Sequence, residues 1–110
     1  MNKEAMPSVG PVEGLLEIMR ALRHPETGCP WDLRQDFDSI VPFTIEETYE
    51  LAAAIASGDP TQIRDELGDV LFQVVFYAQI ASERSLFDFT DVADGISEKL
   101  VRRHPHVFDA

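Results

Sequence analysis

Glu46-Glu47-Thr48-Tyr49-Glu50 and Glu66-Leu67-Gly68-Asp69 place five carboxylates in two short stretches separated by fifteen residues. If both stretches are helical, acids three and four residues apart come together on one face. At 100° per residue, Glu46, Glu47 and Glu50 fall on one side of the first helix, largely opposite Ile45, Leu51, Ala52 and Ile55. In the second, Glu66, Asp69 and Gln73 form a stripe flanked by Leu67, Val70, Leu71, Phe72 and Val74. Two acidic patches are therefore available to face each other. Carboxylates about 6 Å apart repel by roughly 3 kcal/mol at an effective dielectric near 20, a large cost for a small domain. Protonation of some acids is one relief. Bound cations are the other, and oxygen donors with no neighbouring His or Cys suit hard ions such as Mg²⁺ or Mn²⁺. Two divalent ions would balance four carboxylates.

The elements that must position these acids are helical throughout. Leu15, Leu16, Ile18, Met19 and Leu22 recur at helical spacing from Val12 to the His24-Pro25 stop. Residues 26–38, with Gly28, Pro30 and Trp31, read as an ordered loop containing at most a helical turn near Leu33 to Phe37. Thr44-Ile45-Glu46-Glu47 after Pro42 has the form of a capping box, which predicts a helix from Thr44 to Ser57 and gives Glu47 a competing, purely structural role. Gly58 closes that helix, and Asp59-Pro60 opens the next, which runs to about Arg84. From Val70 to Ala81 it is apolar nearly all round, as suits a central helix or a subunit interface. A last helix follows Asp88, with Ile96, Leu100 and Val101 on its apolar side and Lys99, Arg102 and Arg103 at its charged end, before a tail at His104 to Phe108. No strand pattern or repeat is present, so the expected fold is all-α, a four-helix bundle. Residues 1–11 form an expected flexible lead to a single domain over residues 12–108.

Composition narrows the function. A net charge of -11 with only nine Lys and Arg disfavours a nucleic-acid surface. One cysteine, Cys29, precludes an internal disulfide. With no membrane-length apolar run and no signal-like start at Met1, the expectation is a cytoplasmic protein that binds neither membrane nor nucleic acid.

Glu46-Glu47-x-x-Glu50 followed by Glu66-x-x-Asp69 resembles the signature of the MazG nucleoside triphosphate pyrophosphohydrolases, within the all-α NTP pyrophosphatase superfamily. Gly28-Cys29-Pro30-Trp31-Asp32, the run from Glu66 to Gln73, and Arg102-Arg103-His104-Pro105-His106-Val107-Phe108 are similar to phrases of MazG N-terminal modules, so the likeness covers residues 12–108. It implies hydrolysis of a nucleoside triphosphate between the alpha and beta phosphates, with Mg²⁺ as cofactor and Mn²⁺ as a substitute. It also implies a helical bundle that forms a homodimer or higher oligomer through its long helices. Carried over by position, Glu47, Glu50, Glu66 and Asp69 would ligate metal. Glu47 would also be catalytic, alongside Glu46, which would support the metal ligands from behind or help orient the attacking water.

Other residues keep two readings. Lys99 and Arg103, at i and i+4, would meet phosphate oxygens or merely complement a helix C-terminus. Trp31 would stack on a base or plug the loop against the core. His104 and His106 read as packing of the tail. Two departures from the family pattern support a second function, a non-catalytic dimerisation or regulatory module. Ala53 stands where many members have a further acid, and full MazG chains usually carry two modules whereas this sequence holds one. A calcium loop between Gly58 and Asp69 lacks the alternating acids of an EF-hand and is set aside.

Overall fold

A computed structural model describes residues 10–108, and among them every regular element is helical. In order these are α1 (Pro11–Leu22), α2 (Pro30–Leu33), α3 (Phe37–Ser57), α4 (Pro60–Glu83), α5 (Phe89–Arg103) and α6 (Pro105–Phe108). Four long helices are present, as expected, together with two single-turn helices, of which α2 falls at Pro30–Leu33 rather than at the turn expected near Leu33 to Phe37. One lies within the predicted loop and one within the predicted tail. Most of the expected N-terminal lead, residues 1–9, lies outside the described residues, while Pro11 already occupies the first position of α1. The chain divides into two compact units, one ending at Tyr77 and one beginning at Ala78, with α4 continuous through the division.

In the first unit the buried apolar side chains are Met19 of α1, Ile40 and Ala54 of α3, and Val75 and Phe76 of α4. The connection from α1 to α2 is tied to this core by Arg23. Its Nη1 donates to the carbonyl oxygens of Asp32 (2.6 Å) and Gln35 (3.0 Å), and its guanidinium stands 5.6 Å from the centre of the Phe76 ring. The buried cation thus has both hydrogen-bond acceptors and an aromatic face, which offsets the cost of removing it from water. The same connection folds so tightly that a Cβ on Gly28 would come within 2.4 Å of the Leu22 carbonyl oxygen and 2.6 Å of that of His24. Only glycine fits there.

Helix α3 departs from the sequence-based expectation. It begins at Phe37, seven residues before Thr44, and its N-terminus is capped by Asp36 and Ser39. The Asp36 carboxylate accepts from the Ser39 N–H (2.8 Å), and Ser39 Oγ accepts from the Asp36 N–H (2.8 Å). This reciprocal pair, and not Thr44 with Glu47, caps the helix. Pro42 lies inside the helix rather than before it. Gly58, at φ 72°, ends α3 as expected, and the Asp59 carboxylate accepts from the Thr61 N–H (3.0 Å) at the start of α4.

In the second unit Ala78, Ile80 and Ala81 are buried. Asp88 and Asp91 cap α5 with a second reciprocal pair, both bonds 3.0 Å. No residue of α5 is buried.

Candidate metal centre

The inward stripe of α3 runs Ile40, Thr44, Glu47, Leu51, Ala54, at steps of three and four residues, and every member is buried or half-buried. Glu47 is therefore the one acid of Glu46-Glu47-x-x-Glu50 that shares the core-facing side, while Glu46 and Glu50 are exposed. Because α3 starts at Phe37, Glu47 lies in mid-helix and has no capping function. On α4 the facing stripe is Glu66, Asp69, Gln73 and Tyr77. The two helices run antiparallel across the Gly58-Asp59 turn. Ser57 meets Gln62 (3.3 Å), Thr44 meets Gln73 (3.0 Å), and Glu47 faces Glu66 and Asp69 between them.

One carboxylate oxygen from each of Glu47, Glu66 and Asp69 lies within 4.8 Å of the other two. Glu66 is half-buried and Asp69 exposed, so the cluster opens to solvent on one side. The Oε2 atom of Glu47 is buried and has no hydrogen-bond partner. Burial raises the Glu47 pKa above the usual carboxylate value, and the negative fields of Asp69, Glu66, Glu50 and Glu46 add to the rise in that order. The arrangement fits a hard divalent cation on three counts: its donors are all oxygens, they converge, and one of the three carboxylates carries a buried oxygen without a partner. Ala53, also on α3, is exposed, and the three carboxylates converge without an acid at that position.

Trp31 is 43% exposed, and its ring meets Phe43 edge to face at 5.5 Å. It is thus only partly a plug, and Phe43, itself 41% exposed, stands one turn before Glu47 on α3. Phe43 does not stand out in the sequence as a site residue. The available signal was its offset of four from Glu47, which puts the two on neighbouring parts of one helical face. Lys99 and Arg103 belong to the second unit, where both are exposed on α5. His104 Nδ1 lies 2.7 Å from the Leu100 carbonyl oxygen at the end of α5, and its ring is 5.6 Å from that of His106.

Residues 35–108, which contain both acidic stretches, match the MazG nucleotide pyrophosphohydrolase domain. The chain belongs to this family. Among the relatives of this MazG domain is the nucleoside triphosphate pyrophosphohydrolase of Escherichia coli (strain K12), 60% identical over 97 residues, covering 88% of this chain and 37% of that protein. The nucleoside triphosphate pyrophosphohydrolase/pyrophosphatase MazG of Thermotoga maritima is 54% identical over 96 residues, covering 87% of this chain and 37% of that protein. The uncharacterized protein YabN of Bacillus subtilis is 53% identical over 91 residues, covering 83% of this chain and 18% of its own length. The chain thus spans less than two fifths of the length of these relatives.

Proposed function

We propose that this MazG domain hydrolyses nucleoside triphosphates between the alpha and beta phosphates, releasing a nucleoside monophosphate and pyrophosphate, with Mg²⁺ held by the carboxylates of α3 and α4. Mn²⁺ would substitute. The observation that carries this reading is the buried, unpartnered Glu47 Oε2 among three converging carboxylates. A bound divalent ion supplies charge neutralisation on the anhydride and lowers the pKa of water. Glu47, Glu66 and Asp69 would hold it, and Glu50, exposed one turn further along α3, would complete the donor set from the solvent side. Glu46, also exposed, would accept a hydrogen bond from the attacking water and keep it in line. Glu47, whose ionised form is disfavoured by burial and by its acidic neighbours, would gain most from the cation's charge when the site fills.

The exposed edge-to-face pair of Trp31 and Phe43 would offer the nucleobase an aromatic surface. Lys99 and Arg103 are assigned the phosphate oxygens on charge and spacing. No described helix is long and apolar enough to cross a membrane, and we assign the protein to the cytoplasm, where triphosphates and Mg²⁺ are available.

The test is to incubate the chain with mixed triphosphates and Mg²⁺ and to identify the products. Monophosphate and pyrophosphate are expected, with the rate reduced about a hundred-fold or more by Glu47→Ala or Glu50→Ala. Release of orthophosphate would put cleavage at another bond. Wild-type turnover no higher than that of the two variants would favour the non-catalytic module instead.

A further inference from the structure

The stripes that carry the carboxylates continue into an uncharged polar cluster. Thr44 precedes Glu47 by one turn on α3, while Gln73 and Tyr77 follow Asp69 by one and two turns on α4. Thr44 Oγ1 lies 2.6 Å from the Tyr77 hydroxyl, 3.0 Å from Gln73 Oε1 and 3.3 Å from the carbonyl oxygen of Ile40. A threonine hydroxyl has one proton to donate. The assignment that uses each proton once has Tyr77 donating to Thr44 and Thr44 donating to Gln73, with the longer contact to Ile40 secondary. Gln73 is buried, and the Tyr77 ring is stacked on Phe37 at 6.2 Å, which fixes where its hydroxyl points.

We propose that Thr44, together with Tyr77 and Gln73, is a positioning group for the carboxylate cluster, pinning α3 to α4 one turn from Glu47 and Asp69 and so fixing the carboxylate spacing that a divalent ion requires. The inference rests on the reading of that cluster as a metal site. Its physical basis is a contest between two forces. Like charges on Glu47, Glu66 and Asp69 drive the two helices apart or along one another at the point where Mg²⁺ demands near-ideal octahedral geometry. Apolar contacts resist separation but are non-directional, so they resist sliding poorly. Hydrogen bonds lose strength steeply with misalignment, and a linked set spanning both helices one turn from the acids fixes their register. None of the three side chains carries a charge or belongs to the proposed donor set. Removing one hydroxyl therefore leaves every ligand in place and alters only how the ligands are held.

The experiment compares wild type, Thr44→Val, Thr44→Ser and Tyr77→Phe, following the melting temperature in chelator and across a Mg²⁺ titration. Thr44→Val and Tyr77→Phe are expected to move the titration midpoint about ten-fold higher, while Thr44→Ser, which keeps the hydroxyl, stays within about two-fold of wild type. Midpoints that stay in place while the chelated melting temperature drops would make the cluster merely structural and overturn the inference. If Thr44→Val does not fold, Tyr77→Phe, which loses a single hydroxyl at the other end of the set, decides the question alone. A wild-type chain that ignores Mg²⁺ would sink the metal reading and this inference together. A responsive wild type with unmoved variants would sink the inference alone.

Discussion

Glu47 is where the demands of folding and of chemistry collide. Its backbone lies on the stripe that buries Ile40 and Ala54, yet its side chain is ionisable and ends in a buried oxygen with no partner. The raised pKa expresses that conflict as an affinity for protons, and a divalent ion would satisfy the same need. The sign of the pH effect follows. Between the unfolded carboxyl pKa near 4.5 and the higher folded value, the native chain binds more protons at Glu47 than the unfolded chain does, so this residue's contribution to stability falls as pH rises through that window. In chelator, Glu47→Gln should therefore melt above wild type at neutral pH, with the difference shrinking as pH is lowered toward about 4.5. Melting curves at several pH values check this. A variant that melts below wild type at pH 7 without metal would mean that the glutamate makes a stabilising contact there. The acids themselves were legible in the sequence because spacing alone groups them. The special standing of Glu47 was not, since it depends on which part of α3 turns inward.

Helix α3 shows what a sequence conceals. Pro42 and the string Thr44-Ile45-Glu46-Glu47 together look like a helix start, because proline disfavours a helical residue before it and Thr-x-x-Glu fits a reciprocal cap. The helix instead begins at Phe37, where Asp36 and Ser39 form a reciprocal pair with two 2.8 Å bonds, and continues through the proline. Burial of Ile40 and stacking of Phe37 on Tyr77 lie in the added turns, so tertiary packing offsets a local penalty of about 3 kcal/mol for an interior proline. The far end of α3 and the starts of α4 and α5 were legible because their punctuation is unambiguous: Gly58, left-handed in the structure, Asp59 before Pro60, and Asp88 before Phe89. If the Asp36 cap is what fixes the start of α3, Asp36→Ala should lower unfolding free energy by about 1 kcal/mol in urea titrations, whereas Thr48→Ala, at an exposed mid-helix site, should change it by less than half as much. Equal losses would mean that the first two turns add little to the fold.

The distribution of apolar surface bears on self-association. A single exposed leucine is ordinary on a protein surface, but an aligned series is not. On α4, Leu67 (51% exposed), Leu71 (42%) and Val74 (38%) recur at steps of four and three, beside the stripe that carries Glu66, Asp69 and Gln73. The expectation that α4 would be apolar nearly all round is thus resolved into one buried and one exposed face. Covering the exposed face against a second copy would remove it from water, and the net charge of -11 opposes that step by repulsion between copies. Because salt screens the repulsion and does not weaken apolar burial, the predicted homodimer should tighten as ionic strength rises. Sedimentation equilibrium of the chain at low and moderate salt tests both statements, with Leu71→Glu expected to shift the population toward monomer by placing a charge in the buried patch. A monomer at every salt concentration would leave the α4 stripe without a partner of its own kind. A dimer indifferent to Leu71→Glu would move the interface to another face.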